Sequence, residues 1–332
     1  MMEVVILIIV LAIVFDFYNG MNDAANSIAT VVSTRVLTPL QAVIWAASFN
    51  FIAAFVFGVH VATTIGTGIV DINIVDNFVV LSGLVGAILL TASATHLGLP
   101  ISVSHAIIGG YGGAALIKAG IGGLIISGYT KVIVFIFLAP IIGMVMALIF
   151  SIVTMWIVKD MNPRKVDKQF RRLQLVSAAM YSLSHGSNDA QKTIGIITIA
   201  LFTNGLLGST FYIPTWVIII SYSFIALGTL IGGWKVIKTL GMRVTKLTPF
   251  GGFSAETSAG LTIIWATLLG IPVSTTHTIT GAIIGVGAIK GFSAVRWGVA
   301  RNILWAWVLT IPLSAIFAML TYELVTFAVK FF

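Results

Sequence analysis

Long apolar runs separated by short polar breaks organise this chain, at about residues 4–30, 41–59, 78–95, 100–117, 128–158, 173–201, 214–233, 257–270, 273–289 and 303–329. A helix needs about 20 apolar residues to cross the hydrocarbon of a bilayer, and most of these runs are of that order. The alternation of a β-barrel strand is not seen, so the pattern predicts a helical bundle. Two adjacent pairs, 78–95 with 100–117 and 257–270 with 273–289, are individually short and meet at a Gly-x-Pro break. Each pair reads as a re-entrant helical hairpin, a device tolerated only where its non-helical tip is buried in protein or faces a cavity. The expected fold class is an all-α polytopic membrane protein with an inverted-topology repeat, each half holding three spans plus a re-entrant hairpin.

Basic residues orient the chain. The segment 159–172 carries Lys159, Arg164, Lys165, Lys168, Arg171 and Arg172, which assigns it to the cytoplasmic side. Alternation from there, with both hairpins re-entrant, adds Arg35, then Lys235, Lys238, Arg243 and Lys246, then Lys290, Arg296 and Arg301, so 14 of the 18 Lys and Arg residues lie inside. Lys118, Lys131 and Lys330 fall outside, Lys192 falls within a span, and the external segment 60–77 has Asp71 and Asp76 but no Lys or Arg. Both termini are then extracytoplasmic. A version in which all ten runs cross fully moves Lys118 and Lys131 inside; the re-entrant version is preferred because it opposes the two proline tips near the midplane. The expected divisions are a first repeat at 1–158, a cytoplasmic basic loop at 159–172 and a second repeat at 173–332.

Composition agrees with the patterning. Hydrophobic residues make up 58% and charged residues 8%, and the mean hydropathy is +1.09, too little polar surface for a water-soluble globule of this length. The net charge of +8 sits in short loops rather than on one soluble face, which argues against a nucleic-acid partner. With no cysteine, disulfides and thiolate chemistry are excluded. The first run lacks a basic n-region and a cleavage site, so it reads as a retained span. The expected location is the plasma or inner membrane, with the lipid bilayer as surroundings.

Two motifs are duplicated in order. Gly20-Met21-Asn22-Asp23 returns 166 residues later as Gly186-Ser187-Asn188-Asp189, and Gly98-Leu99-Pro100-Ile101-Ser102-Val103-Ser104-His105 returns 172 residues later as Gly270-Ile271-Pro272-Val273-Ser274-Thr275-Thr276-His277. Duplication of the whole chain explains both offsets. An aspartate within a span costs about 2.5–3.5 kcal/mol by insertion scales, so Asp23 and Asp189 need a partner. With no arginine near either, a metal cation or a proton is the simplest one, and Asn22 and Asn188 add neutral oxygen ligands of the hard-cation kind. A helix N-cap is the alternative reading of each Asn-Asp pair. The hairpin tips pair a proline break with the hydroxyls of Ser102 and Ser104, and of Ser274, Thr275 and Thr276. Together with unpaired helix N-terminal amides these suit a tetrahedral oxyanion, although such hydroxyls also serve simply to satisfy their own helix ends.

Four further residues are candidates in accessory roles. His105 and His277 can relay protons or orient an oxyanion, or hydrogen-bond a neighbouring helix. Lys192 can neutralise a carboxylate, attract substrate or snorkel. Glu256, whose repeat counterpart is Leu84, is a further cation ligand or proton acceptor, or a hydrated residue near the interface. Asp16 and Glu323 are assigned no role. Gly109, Gly113, Gly281 and Gly285 have the small-x-x-x-small spacing of close helix packing.

The segments GMNDAANSIATVVSTRVLTP and HGSNDAQKTIG resemble the paired signatures of the inorganic phosphate transporter family, PiT, and GLPISVSHAIIGG and GIPVSTTHTITGA resemble its hairpin motifs. The resemblance spans nearly the whole chain and implies cation-coupled uptake of inorganic phosphate, an inverted-repeat fold with both termini outside, and a homodimer. Its signature falls on Asn22, Asp23, Asn188, Asp189, Gln191 and Lys192, and on Ser102, Ser104, Ser274, Thr275 and Thr276. Val103 stands where the second hairpin has Thr275, so the halves are not expected to share substrate equally.

The expectation is therefore a secondary active symporter, not an enzyme. Sodium is bound by Asp23, Asp189, Asn22, Asn188 and Glu256; phosphate is bound by the five hairpin hydroxyl residues with Asn22, Asn188 and Gln191. Lys192, His105 and His277 are accessory, and no cofactor is needed beyond the coupling ions. Phosphate carries about one to two negative charges near neutral pH, so cotransported cations must supply the counter-charge. Proton-coupled transport of phosphate or a metal–phosphate complex, and sulfate transport, are the alternatives. A channel would need a continuous pore, and no nucleophile is spaced with a base for catalysis.

Overall fold

The computed structural model describes residues 2–331, the side chains of 241–243 and 331 excepted, so the Arg243 assigned above to the inner loops lies outside the described residues. The same succession of helices occurs twice. The first half runs α1 (Met2–Ser33), α2 (Pro39–Ile52), α3 (His60–Thr67), α4 (Asn77–Leu97), α5 (Val103–Ala119) and α6 (Ile126–Val158). The second runs α7 (Pro163–Thr203), α8 (Thr215–Ile231), α9 (Trp234–Arg243), α10 (Pro249–Leu268), α11 (Thr275–Ile289) and α12 (Trp297–Phe331).

Local chemistry sets the breaks. Gly98 takes a left-handed conformation, φ 75°, and ends α4; Gly270 does the same, φ 67°, after α10. Four residues on, the Ser102 and Ser274 hydroxyls accept the amides of His105 and His277 and start α5 and α11. Asn162 with Pro163 and Thr248 with Pro249 begin α7 and α10 in the same way, a polar N-cap followed by proline at the first helical position.

Two expectations about the elements are corrected. The segments that follow the runs 41–59 and 214–233, read from the sequence as lying outside the spans, begin with helices: α2 and its terminal 3₁₀ turn bend by 79° into α3, and α8 bends by 75° into α9. Glycine stands at both breaks, Gly58 at the first and Gly232 and Gly233 at the second. The loop expected at 159–172 is helical from Pro163 onward, because six of its residues are strong helix formers carried on the first turns of α7. Among the described residues, α1, α4, α6 and α12 are each long and apolar enough to cross a membrane, and counting each bent pair as one broken span brings the number to six. The outward sides of α6 and α12 are apolar, with Phe137, Ile141, Trp305 and Leu320 more than half exposed, while Asn, Asp, Ser and Thr side chains are buried among an apolar core. An apolar outer surface on helices long enough to span a bilayer marks a multi-pass membrane protein.

The two halves interlock. α5 packs on α12, and α11 packs on α6; α8 and α9 pack on α1, and α2 and α3 on α7. The glycines explain how closely. A Cβ at Gly109 or Gly113 would strike Ile311 or Ala315 of α12, and one at Gly281 or Gly285 would strike Pro140 or Met144 of α6. The motif glycines do likewise: a Cβ at Gly20 would overlap the Ile225 carbonyl of α8, and one at Gly186 would meet the Asn50 carbonyl of α2 at 2.7 Å. The leading glycine of each Gly-x-Asn-Asp therefore sets the distance between the motif helix and its neighbour. α1 and α7 run antiparallel, since Thr193 bonds Asp16 near one end and Thr34 bonds Gln174 near the other.

Candidate functional site

Where α1 and α7 cross the tips of the two hairpins, the duplicated asparagines make duplicated bonds. Asn22 Nδ2 donates to Thr95 Oγ1 at 2.9 Å and to the Leu99 carbonyl at 3.4 Å. Asn188 Nδ2 donates to Thr267 Oγ1 at 2.9 Å and to the Ile271 carbonyl at 3.2 Å. Each amide nitrogen thus ties a motif helix to the last turn and the unwound tip of one hairpin. Each Oδ1 remains buried with no protein donor. A buried carbonyl oxygen is expensive to leave unbonded, by about 1–3 kcal/mol, so both oxygens are available acceptors for a cation or water.

The carboxylates converge. Thr275 Oγ1 lies 3.1 Å from Asp189 Oδ2 and 3.4 Å from Asp23 Oδ2, and Thr276 Oγ1 lies 3.2 Å from Asp23 Oδ1. Asn26 donates to Thr276 Oγ1 at 2.9 Å and so orients that hydroxyl toward the acid. Lys192 forms an ion pair with Asp189 Oδ1. His185 Nε2 sits 3.1 Å from Asp189 Oδ2 and 3.9 Å from Asp23 Oδ2, and its Nδ1 is held 3.1 Å from Asn50 Oδ1. One ligand atom from each of Asp23, His185 and Asp189 lies within 4.8 Å of the others, close enough to share one ion. All of these side chains are buried. Lys192 balances one acid, and the other has no lysine or arginine beside it among the described residues.

The hairpin tips bring helix N-termini to the same place. Ser104 Oγ of the first tip donates to the Val273 carbonyl of the second at 2.9 Å, so the tips touch. The amides of Val103 and Ser104, and of Thr275 and Thr276, open α5 and α11 and precede the first residues able to bond within their own helix. Helix N-termini with free amides favour anions. The site therefore sets two carboxylates for cations next to two helix starts for an anion.

Several sequence expectations change. The Ser102 and Ser274 hydroxyls are N-caps. Gln191 makes four bonds elsewhere: its Oε1 accepts the Val61 and Ala62 amides, and its Nε2 donates to the Gly58 and Ser187 carbonyls. It caps α3 across the bend and is not placed as a phosphate ligand, because its bonding capacity is spent on backbone. Glu256 does not join the two aspartates. It accepts from Gln174 Nε2 at 3.1 Å and from Ser177, and Gln174 in turn accepts from Thr34 at 2.9 Å. Ser177 precedes Asp189 by about 18 Å of helix at 1.5 Å per residue, so this is a separate cluster.

His105 and His277 face each other edge-on at 4.7 Å, and His277 stacks on Trp307 at 3.7 Å. Pro140 inside α6 frees the Ile136 carbonyl four residues earlier, and His277 Nδ1 lies 3.4 Å from it. Both rings are thus packed at the hairpin tips, with His105 Nδ1 and His277 Nε2 buried and without a protein partner among the described residues.

His185 and Asn26 carry no role in the sequence reading. The signal for His185 was its place four residues before Asp189, one helical turn along the same face. Asn26 stands at the repeat position of Lys192, so an amide and an ammonium occupy corresponding points of the two halves.

The phosphate transporter family matches this chain over residues 19–163 and 158–318. A probable low-affinity inorganic phosphate transporter of Rhizobium meliloti is 54% identical over 315 residues, covering 95% of this chain and 94% of that protein. A probable low-affinity inorganic phosphate transporter of Bacillus subtilis is 46% identical, covering 96% of each. Among solved structures, the sodium-dependent phosphate transporter superposes with a TM-score of 0.88 at 27% identity, covering 98% of this chain and 99% of that one. With the duplicated motifs on antiparallel helices and both motif pairs inside the matched ranges, the chain belongs to the phosphate transporter family.

Proposed function

We propose that this protein is a symporter that moves inorganic phosphate together with sodium. Phosphate transport follows from the family; sodium coupling is read from the site. The observation that carries it is the pair of buried, undonated Oδ1 atoms on Asn22 and Asn188, each adjacent in sequence to a buried carboxylate. A carboxylate, an amide carbonyl and threonine hydroxyls form an all-oxygen set of the kind that hard cations take. The named dependence of the structural neighbour on sodium supports the same ion. Phosphate is held where the two hairpin tips meet, by the first amides of α5 and α11. Its charge and that of the sodium ions screen each other, so binding of one raises affinity for the other, and the coupling is reciprocal.

The antiparallel course of α1 and α7 supports an inverted repeat, in which each hairpin tip leans on the short helix after the bend of the opposite half. Thr239 of α9 donates to the Gly98 carbonyl at 3.2 Å, and Thr64 of α3 donates to the Gly270 carbonyl at 2.8 Å. Releasing one of these contacts at a time opens the centre to one side only, which is alternating access.

His185 favours a second reading. An imidazole 3.1 Å from one carboxylate and 3.9 Å from another is placed to carry a proton between them, which suits proton coupling. Uptake of labelled phosphate into proteoliposomes separates the two, with a sodium gradient or a proton gradient imposed singly and excess sulfate as competitor. Sodium-driven uptake that sulfate leaves intact is expected; uptake driven by protons alone refutes sodium coupling, and block by sulfate refutes phosphate selectivity.

A further inference from the structure

Two helical turns before Asp23 on α1, a second acid is buried in a polar pocket of its own. Asp16 is fully enclosed, and its Oδ1 accepts from Thr193 Oγ1 of α7 at 2.6 Å, while its Oδ2 has no protein donor among the described residues. Ser221 of α8 faces the same carboxylate and its Oγ is otherwise unbonded. Asn19 follows Asp16 by three residues and precedes Asp23 by four, so it lies on the helix face that carries both acids. It is 1% exposed, and neither its Nδ2 nor its Oδ1 is bonded. A buried asparagine with both ends unbonded, on the helix face of a carboxylate that has one close donor and one facing hydroxyl, is a concentration of under-bonded polar atoms that packing alone does not account for.

The repeat sharpens this. The offset of 166 puts Ser182 opposite Asp16 and Ser27 opposite Thr193. A hydroxyl pair therefore fills the corresponding layer of the other half, and Asp16 is not a remnant of the duplicated scaffold. The charged groups that act on Asp16 are Lys192 and Asp189. Lys192 is already paired with Asp189, which leaves the Asp16 charge without a dedicated partner.

We propose that Asp16, Asn19, Thr193 and Ser221 form an accessory sodium site, about 10 Å along α1 from Asp23 at 1.5 Å per residue. The donor set is one carboxylate, one amide carbonyl and two hydroxyls, all hard oxygen, and a single negative charge matches a single monovalent ion. The site lies on the side of the centre opposite the Glu256 cluster, since α1 continues from Asp23 to Thr34 in the other direction. Asn19, placed between the two acids, presents its carbonyl to an ion at either. The accessory site is thus a station through which sodium reaches or leaves the central carboxylates. The inference rests on the sodium reading of the centre.

The test is equilibrium binding of radioactive sodium to the purified protein in detergent without phosphate, on wild type, Asp16→Asn, Ser221→Ala and Asp23→Asn, each first shown monodisperse by gel filtration. The expected result is that Asp16→Asn binds one ion fewer than wild type and that Ser221→Ala binds the same number with one affinity weakened about tenfold. Asp23→Asn is expected to lose a different ion, so that Asp16→Asn/Asp23→Asn loses both. Unchanged stoichiometry and affinity in Asp16→Asn overturns the accessory site and leaves the central reading standing. Loss in Asp16→Asn with none in Asp23→Asn overturns the central reading and with it the role of the Asp16 site as a station on the way to the centre, and no binding by wild type overturns both sites.

Discussion

Lys192 and Asp189 form a buried ion pair, each side chain 1% exposed, inside a cluster that holds a second acid. Removing one partner strands the other. Asp189→Asn keeps the shape and an acceptor for Thr275 and His185 but removes the direct ion-pair partner of the Lys192 ammonium, a change that costs about 3–5 kcal/mol in buried pairs. Lys192→Met leaves two carboxylates facing each other, Asp23 and Asp189 both within 3.4 Å of the Thr275 hydroxyl. That variant is expected to lose a similar amount in sodium-free buffer and to recover on adding sodium, because an ion bound at about a hundred times its Kd returns about 2.7 kcal/mol. The double variant Asp189→Asn/Lys192→Met removes both charges and is expected to regain most of the stability while transporting nothing. The assay is thermal unfolding in detergent, with and without sodium, using choline to hold ionic strength. Wild-type melting by Asp189→Asn, or a double variant no more stable than the single, would refute the claim that this pair sets the charge balance of the site.

Three more outcomes are expected. Gly20→Ala and Gly186→Ala force a methyl against the Ile225 and Asn50 carbonyls, and each is expected to lose about 1–3 kcal/mol by overpacking, whereas Gly122→Ala, which meets nothing within 4 Å, is expected to melt with wild type. Thr275→Val removes the hydroxyl shared by both carboxylates and is expected to weaken the sodium dependence of uptake about tenfold, a difference of about 1.4 kcal/mol, while Thr275→Ser restores it; equal sodium dependence in all three proteins would exclude Thr275 as a ligand. Asn188→Ala frees the second hairpin tip from α7 and leaves the Thr267 and Ile271 oxygens without their donor, so phosphate uptake is expected to fall by at least tenfold with the protein still monodisperse, and wild-type uptake would show that the tether is dispensable.

The sequence revealed what depends on composition and spacing. The buried acids, the proline tips and the duplication were all visible because a span tolerates few polar residues, so every one that remains is conspicuous. It hid what depends on direction. In the largely apolar run 41–59 only Gly58 stands at the break where α2 bends into α3, and the residue that stabilises the bend, Gln191, lies 130 positions away in sequence from the amide of Val61. Gln191 and Lys192 are neighbours in the chain but point to different tasks, one capping α3 and the other pairing Asp189, because successive helix residues face about 100° apart. Glu256 was grouped with the aspartates on charge alone, and only the register of α10 on α7 shows that it meets Gln174 and Ser177 instead. His185 was legible in principle from its four-residue spacing to Asp189, but a histidine has so many structural uses that spacing on one helix did not single it out.

The repeat is kept where backbone geometry is at stake and broken where charge is. Gly20 and Gly186, Asn22 and Asn188, Gly98 and Gly270, and Ser102 and Ser274 occupy corresponding positions and make corresponding contacts. By contrast Asn26 stands opposite Lys192, Asn19 opposite His185, Ser182 opposite Asp16, Leu84 opposite Glu256 and Val103 opposite Thr275. Opening to two sides by the same movement requires the first set to match. The second set cannot match without harm: two lysines would neutralise both carboxylates and leave no charge for a coupling ion, and none would leave an acid pair whose repulsion the empty carrier must bear. One lysine on one acid divides the work. Lys192 pairs with Asp189, which orients Thr275 and His185, and in the proposed symport Asp23 is the acid whose charge an ion would meet. Sodium dependence should therefore be lost on Asp23→Asn even if the fold is unharmed, whereas Asp189→Asn should first damage the fold. If Asp23→Asn keeps the sodium dependence of wild type, the division of labour between the two halves is the reverse of that argued here.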